Sequence, residues 1–361
     1  MKVERKSLLS TLKHLKNFAG DDKTPLAVLK YVQLETVDNQ LVLRVSNGTL
    51  FAKAYYDLEE ELEINFYLPI GKLVEALENL NSELVELKFQ NNKVSVRGGK
   101  NTISISGMDE CIEFPIISEM PTDSVRLDTE MFWNKINSVA LCADPRHANL
   151  ILRCLTLKSD GDLITLGATN LVASAMNFIK IKSPEFKTAV GLDFLKAAKA
   201  LSKNEKKLSL AFDNGKLYLS IGCFEVGTIS IVNQIPNLQR AFEIEGDCFY
   251  FTFNSADAGA AMELASMFAK ENETKPDFVK LSAVEDGEIR VYAESESGYS
   301  DATFEAFGDF KGIHGFNVNY FLAMCGLFDK IRCEHTESNK SKLLFTSDED
   351  TDWIMLISPM T

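Results

Sequence analysis

Disulfide-forming cysteine pairs, long apolar runs and histidine clusters are all missing from this sequence of 361 residues. The seven cysteines, Cys111, Cys142, Cys154, Cys223, Cys248, Cys325 and Cys333, are an odd, dispersed set with no C-x-x-C pair. That pattern speaks against a disulfide framework or a zinc site and points to a reducing, cytoplasmic setting. No stretch reaches the ~18 consecutive apolar residues that read as a membrane span. The opening MKVERKSLLSTLKHLKNF carries charge throughout and does not read as a secretory signal. In such a chain the Asn-x-Ser/Thr triplets at Asn47, Asn272 and Asn339 are chance matches. Proline (9) and glycine (20) are too few for a collagen-like or disordered protein.

Converging catalytic groups are missing too. His14, His147, His314 and His335 are too scattered to suggest a triad or a histidine metal site. Arg97-Gly98-Gly99-Lys100 lacks the spacing and the Ser/Thr of a phosphate-binding loop. Asp348-Glu349-Asp350 with Asp352 lacks EF-hand spacing and its glycine, and reads as an acidic turn between strands. The expectation is a protein that is not an enzyme and uses no metal or cofactor.

What is present is an ordinary globular balance, 45% hydrophobic and 25% charged, long enough for two or three domains. With 38 basic against 52 acidic residues the net charge is -14, which argues against simple electrostatic capture of nucleic acid.

A repeat organises the chain. Alternating strands flank Asp-, Asn- or Gly-rich turns at 32–47, 155–170 and 279–294, the mark of a hairpin. A strand end runs into a short amphipathic helix at 68–77, 190–198 and 315–323. Further alternating hairpins follow at 85–105, 208–231 and 341–357, and each copy opens on a helical pattern, at 7–18, 129–142 and 255–270. Boundaries at 115–124 and 242–247 give three modules, 1–122, 123–246 and 247–361. Each is expected to be an α+β unit with antiparallel sheet on one side and two helices on the other. Such modules can continue one another's sheets edge to edge, and an arc with like ends closes by symmetry, commonly as a two-chain ring.

Charge is unevenly placed. In a helix predicted over 193–206, Phe194, Ala198 and Leu201 share one face, and Lys196, Lys199, Lys203 and Lys206 line the other. In the first helix Leu8, Leu12 and Leu15 lie opposite Lys6, Lys13 and Asn17. One such stripe is an ordinary solvated helix face. Two of them in an acidic protein point to an inner surface that tolerates a phosphate backbone without reading bases, with acidic strands and the 59–63 glutamate cluster outside.

The whole chain resembles the bacterial DNA polymerase III β subunit family, the sliding clamps. The resemblance rests on ordered pieces: Met1-Lys2-Val3-Glu4-Arg5 with Leu8-Leu9, Ser46-Asn47-Gly48-Thr49-Leu50, Leu68-Pro69-Ile70-Gly71-Lys72-Leu73 and Glu113-Phe114-Pro115. They continue with Ala168-Thr169-Asn170, Ile235-Pro236-Asn237-Leu238-Gln239-Arg240, Gly315-Phe316-Asn317-Val318-Asn319-Tyr320 and Ser358-Pro359-Met360. It implies a head-to-tail homodimeric ring of six modules, half from each chain, around duplex DNA. A clamp loader opens such a ring, and the DNA polymerase III alpha subunit and other proteins with clamp-binding motifs use it as a mobile tether.

The resemblance also implies a partner-peptide cleft between modules 2 and 3. Its residues would be Leu150, Thr169, Leu171, Val172, Pro236, Arg240, Ala241, Tyr320, Leu356, Pro359 and Met360. Where the family usually has Gly-His-Arg-Leu, this chain reads Leu171-Val172-Ala173-Ser174, without two basic groups, and Thr361 replaces a longer tail. Lys23, His147 and Asn149 match family DNA contacts. The dimer contact would pair 100–106 with the end of module 3, setting Ile103 and Ile105 against Met267 and Phe268, and Arg97 and Lys100 against Glu294 and Glu296. The isoleucine alternation by itself fits a core face equally well. The competing reading is a clamp-like peptide-binding scaffold or decoy that no longer encircles DNA.

Overall fold

The computed structural model describes residues 1–58, 63–111, 113–231, 235–284, 287–338 and 340–360. Most of the acidic cluster at 59–63, the turn at 285–286, Asn339 and Thr361 therefore lie outside the described residues.

One series of elements occurs three times. The first is β1 (Lys2–Glu4), α1 (Arg5–Leu15), β2 (Tyr31–Val37), β3 (Gln40–Ser46), β4 (Leu50–Asp57), β5 (Asn65–Pro69), α2 (Ile70–Asn79), β6 (Leu84–Gln90), β7 (Lys93–Gly98) and β8 (Asn101–Ser106). The second is β9 (Val125–Asp128), α3 (Thr129–Ala140), β10 (Cys154–Ser159), β11 (Leu163–Thr169), β12 (Ala173–Lys180), β13 (Phe186–Gly191), α4 (Leu192–Leu201), β14 (Lys207–Asp213), β15 (Lys216–Ile221) and β16 (Phe224–Ile229). The third is β17 (Phe249–Asn254), α5 (Ser255–Ala269), β18 (Phe278–Ala283), β19 (Glu288–Ser295), β20 (Gly298–Gly308), β21 (Ile313–Asn317), α6 (Val318–Cys325), β22 (Lys330–His335), β23 (Leu343–Thr346) and β24 (Ile354–Ile357).

By contacts the chain forms two compact units, Met1–Glu130 with Asp193–Ser230, and Met131–Leu192 with Ile231–Thr361. In the first, a sheet β5-β2-β3-β4-β16-β15-β14-β9 stands beside a smaller one, β1-β6-β7-β8. In the second, twelve strands run β13-β10-β11-β12-β24-β23-β22-β17-β20-β19-β18-β21. Every strand pair among the described residues is antiparallel.

Local chemistry explains the elements. Leu8, Leu12 and Leu15 recur at helical spacing in α1 and are buried, each contributing about 1.5–3 kcal/mol of burial. The Asn254 side chain accepts from the Ala256 and Asp257 amides and so starts α5, and Asn317 starts α6 in the same way. Asp38 and Asn39 both hold positive φ (48° and 63°), the geometry of a tight hairpin between β2 and β3.

One expectation needs correcting. The helix predicted over 193–206 stops at Leu201. Ser202 turns its hydroxyl onto the Ala198 carbonyl (3.3 Å), its amide bonds Lys199 O, and the Glu205 amide bonds Ser202 O. This tight turn takes Lys203 and Lys206 off the helix. The first helical pattern likewise changes from α to 3-10 geometry at Lys16–Phe18.

The acidic turn before β24 is filled by lysines. Lys135 Nζ on α3 lies 3.0 Å from Asp350 Oδ1, Lys180 Nζ 2.7 Å from Asp352 Oδ1, and Asn177 Nδ2 donates to Asp350 Oδ2 at 2.7 Å. The Trp353 indole donates to Ser138 O at 3.1 Å. Hydrogen bonding from Lys180, aided by the charges of both lysines, holds the Asp352 carboxyl below its usual range. Lys135→Met is expected to lower unfolding stability by about 1–3 kcal/mol, because Asp350 loses a mostly buried partner. A urea midpoint at neutral pH reads this. Lys135 also lies 3.7 Å from Asp352, so part of the deficit disappears as pH falls below about 3.9 and through the lowered Asp352 value, where that carboxylate takes up its proton.

Candidate functional site

The proposed cleft residues all belong to the second unit. Between β11 and β12, Asn170 Oδ1 accepts from the Val172 and Ala173 amides (3.1 and 2.9 Å), an Asx turn. Leu171 is held at φ 74°, a left-handed conformation costing a leucine about 1–2 kcal/mol, and its side chain is 70% exposed. The same turn is tied to two other elements. Asn170 donates to Tyr320 Oη on α6, and the Val172 carbonyl accepts from the Ser358 amide at 2.7 Å. The Met360 amide in turn reaches the Gly315 carbonyl on β21 at 2.8 Å. Leu171, Val172, Tyr320, Pro359 and Met360 are thereby brought together. Thr169 and Leu356 are buried and do not face solvent. The Thr169 hydroxyl is engaged with Ser174 Oγ at 2.7 Å.

Leu150 opens a 3-10 turn capped by Asn149, whose side chain accepts from the Ile151 amide at 3.2 Å, and is 56% exposed. Ile151, Leu152, Cys154 and Ala189 form a small core on which Ile235 packs, so the segment carrying Pro236 is seated next to this turn. Pro236 lines a cavity of about 260 Å³ on the strand face of β10–β12, where Leu238 closes over Gly167. Arg240 lines a separate cavity of about 390 Å³ with Thr336, Ser341 and Lys342. Ala241 is fixed by Lys342, which donates to its carbonyl at 2.8 Å.

The lysine-bearing helices α1 and α4 lie in the first unit and share one core, with the Phe18 and Phe194 rings edge to face at 6.5 Å. Lys6, Lys13, Lys23, Lys196, Lys199, Lys203 and Lys206 are all exposed. Lys13 is neutralised in part by Glu78 at 2.8 Å. In the second unit His147 Nδ1 accepts from the Asn149 amide at 3.0 Å.

Of the proposed dimer residues, Ile105 is 7% exposed and packs within its own chain, whereas Ile103 is half-buried. Both line a cavity of about 420 Å³ against α2, with Pro69, Lys72, Glu75 and Ala76. Met267 is 62% exposed and Phe268 half-buried, with the Phe268 ring over Gly298 on β20. Arg97, Lys100, Glu294 and Glu296 are exposed.

Sequence reasoning missed Asn170 as the residue joining the turn to Tyr320, and Ser358 as the residue joining it to β24. An Asn after a strand signals a turn, but nothing local signals a partner 150 positions away.

Residues 1–118 match the family model of the DNA polymerase III beta subunit N-terminal domain. No curated protein sequence matches the chain. Among solved structures, the DNA polymerase III subunit beta of Pseudomonas aeruginosa is similar at 18% identity and TM-score 0.90, covering 100% of this chain and 99% of that one. The beta chain of Streptococcus pneumoniae is similar at 18% identity and TM-score 0.89, with the same coverage. The sliding clamp of Bacillus subtilis is similar at 16% identity and TM-score 0.89, covering 100% and 98%. Residues 1–118 thus match the DNA polymerase III beta subunit N-terminal domain, and the chain along its whole length has the sliding-clamp fold.

Proposed function

We propose that this protein is a DNA sliding clamp. Two copies close head to tail into a ring of six modules, bounded in each chain at 1–122, 123–246 and 247–361. The ring encircles duplex DNA and tethers the replicative DNA polymerase, its alpha subunit included, and other motif-bearing partners through the cleft. A clamp loader opens it, and the protein itself carries out no catalysis. Its setting is the cytoplasm. Among the described residues no helix is long and apolar enough to cross a membrane.

The observation that carries this reading is a pairing rule. The fourth strand of the first series, β4, pairs with the eighth strand of the second, β16, from Leu50↔Thr228 to Ala54↔Phe224. The fourth strand of the second series, β12, pairs with the eighth of the third, β24, from Ala173↔Ile357 to Met176↔Ile354. One fourth strand and one eighth strand are left over. Among the described residues β8 pairs on one edge only, with β7. Along 298–305, β20 pairs only with β19 among the described residues. Exposed edges of this kind invite a further strand. Applying the rule once more joins β20 of one chain to β8 of the next, and two such joints close a ring.

The repeat also supplies the register, Ile105 opposite Gly298, Ser104 opposite Tyr299 and Ile103 opposite Ser300. Lysines of α1 and α4 and of the turn after α4 would then line the hole, with Lys23, His147 and Asn149 as further contacts. In an acidic chain, retention on DNA comes from enclosure more than from attraction. Light scattering is expected to give twice the chain mass. Protein loaded on nicked circular DNA is expected to stay bound until the circle is cut. Binding of partner peptides without retention on the circle would instead favour a clamp-like scaffold that does not encircle DNA.

A further inference from the structure

Two histidines that the reading above leaves unused are buried side by side. His314 on β21 is 1% exposed and His335 on β22 is 0% exposed, with ring centroids 4.9 Å apart. Their hydrogen bonds set the tautomers. His314 Nε2 donates to the Lys311 carbonyl at 2.7 Å and His335 Nδ1 donates to the Thr336 carbonyl at 3.0 Å, since a carbonyl only accepts. The other two nitrogens, His314 Nδ1 and His335 Nε2, are buried acceptors with no partner among the described residues.

The surroundings are aromatic and uncharged. β17 presents Phe249 and Phe251, and the segment before β21 presents Phe310, 4.8 Å from His335 and 5.3 Å from His314. Cys333, on the buried face of β22, is a thiol pushed far up by its burial. Glu334 points the other way, to the Tyr250 hydroxyl. The side chains of Asp309, Lys311 and Glu337 are exposed. Their main chains are what face the pair, with the Glu337 carbonyl packed against Gly312.

Each histidine is one residue from an anchor of the cleft. His314 precedes Gly315, whose carbonyl holds the Met360 amide at 2.8 Å. His335 precedes Thr336, whose amide is held by Ser341 Oγ at 2.8 Å, beside the Lys342 that fixes Ala241. We infer that His314 and His335 form an acid-sensitive latch, which keeps Met360 on β21 at neutral pH and releases it on acidification. Its meaning as regulation of partner binding rests on the peptide-cleft reading, but the latch itself does not.

Burial pushes both rings down from the ordinary histidine range. The Lys311 carbonyl opposes this at His314, where the neighbouring His335 adds to it, and main-chain groups of Thr336 and Asp309 oppose it at His335. The sign follows. In the latched state both rings stay neutral below about pH 6.5, where released rings take up protons, so the latch is full above that pH and weakens as pH falls through the lowered values.

The test is hydrogen exchange on the full-length protein, without any peptide, at pH 7.5 and pH 5.5 after correction for intrinsic rates. Protection of the Met360 amide is expected to fall about tenfold per unit of pKa displacement, while β6–β8 keep theirs. His314→Gln and His335→Phe should each flatten the pH response. Histidine ring nitrogens followed by NMR in the unsubstituted protein should begin to titrate in the same interval. Constant protection in the unsubstituted protein, an equal loss in β6–β8, or a pH response unchanged in both variants overturns the latch. Failure of peptide binding alone would count against the cleft and leave the exchange result standing.

Discussion

A chain carrying Met267→Asp is expected to run as a monomer by light scattering at concentrations where the unsubstituted protein is a dimer. Met267 is 62% exposed within its own chain, and Leu264 and Tyr299 beside it are 54% and 66% exposed. A polar replacement should cost the isolated chain no more than about 0.5 kcal/mol. In the proposed joint the same surface meets β8 and α2. Phe268 lies 13 residues after the start of α5 at Ser255, as Phe18 lies 13 after the start of α1 at Arg5. Phe18 packs on Phe194 of α4, and the repeat makes Lys72 of α2 the counterpart of Phe194. The cavity of about 420 Å³ beside Ile103 and Ile105 is the space into which Met267 and Phe268 would be set. A carboxylate there loses solvent, and Lys72 in the cavity wall is already held by Glu75 at 2.8 Å, a penalty of about 3 kcal/mol or more and at least a hundredfold in dimer affinity. The complementary result is covalent. Ser104→Cys with Tyr299→Cys should cross-link two chains at both joints on oxidation. A dimer untouched by Met267→Asp, or a cysteine pair that never links, removes the β8–β20 joint and the ring with it.

The threefold series of elements was legible because each copy buries its residues at the same spacing. Leu8, Leu12 and Leu15 in α1, and Phe194, Ala198 and Leu201 in α4, are as buried as their periodicity demands. The end of α4 was misjudged for a local reason. Lysines continue at helical spacing beyond Leu201, and exposed positions carry no penalty that would reveal the turn at Ser202. The proposed cleft residues stand out in the sequence only through the order of the pieces that carry them. The apolar ones taken one by one look like core, and Thr169 and Leu356 are buried. What joins the pieces was not legible at all. Asn170 meets Tyr320 and Lys135 meets Asp350 across 150 and 215 positions of chain, and the buried histidines stand 21 apart. Side-chain pairs at such separations leave no periodic trace. They become visible only when the sheets bring them together.

Replacing Lys196 and Lys203 together by glutamate is expected to shorten retention on closed circular DNA and to flatten its salt dependence, with the fold intact. Both side chains are exposed, so unfolding stability should stay within about 0.5 kcal/mol. Each lysine near the backbone contributes about one unit to the slope of log affinity against log salt, so losing both should lower that slope by about two. Two replacements of +1 by -1 also move the net charge from -14 to -18, which by itself weakens attraction to DNA. Lys93→Glu with Lys280→Glu makes the same change in charge on exposed strand positions of β7 and β18, and separates the two causes. If substitution of Lys196 and Lys203 shortens retention much more than the strand pair, the lysines act where they stand, on the lining of the hole. Equal effects would mean that only total charge matters, and that the helices of the first unit do not face the duplex.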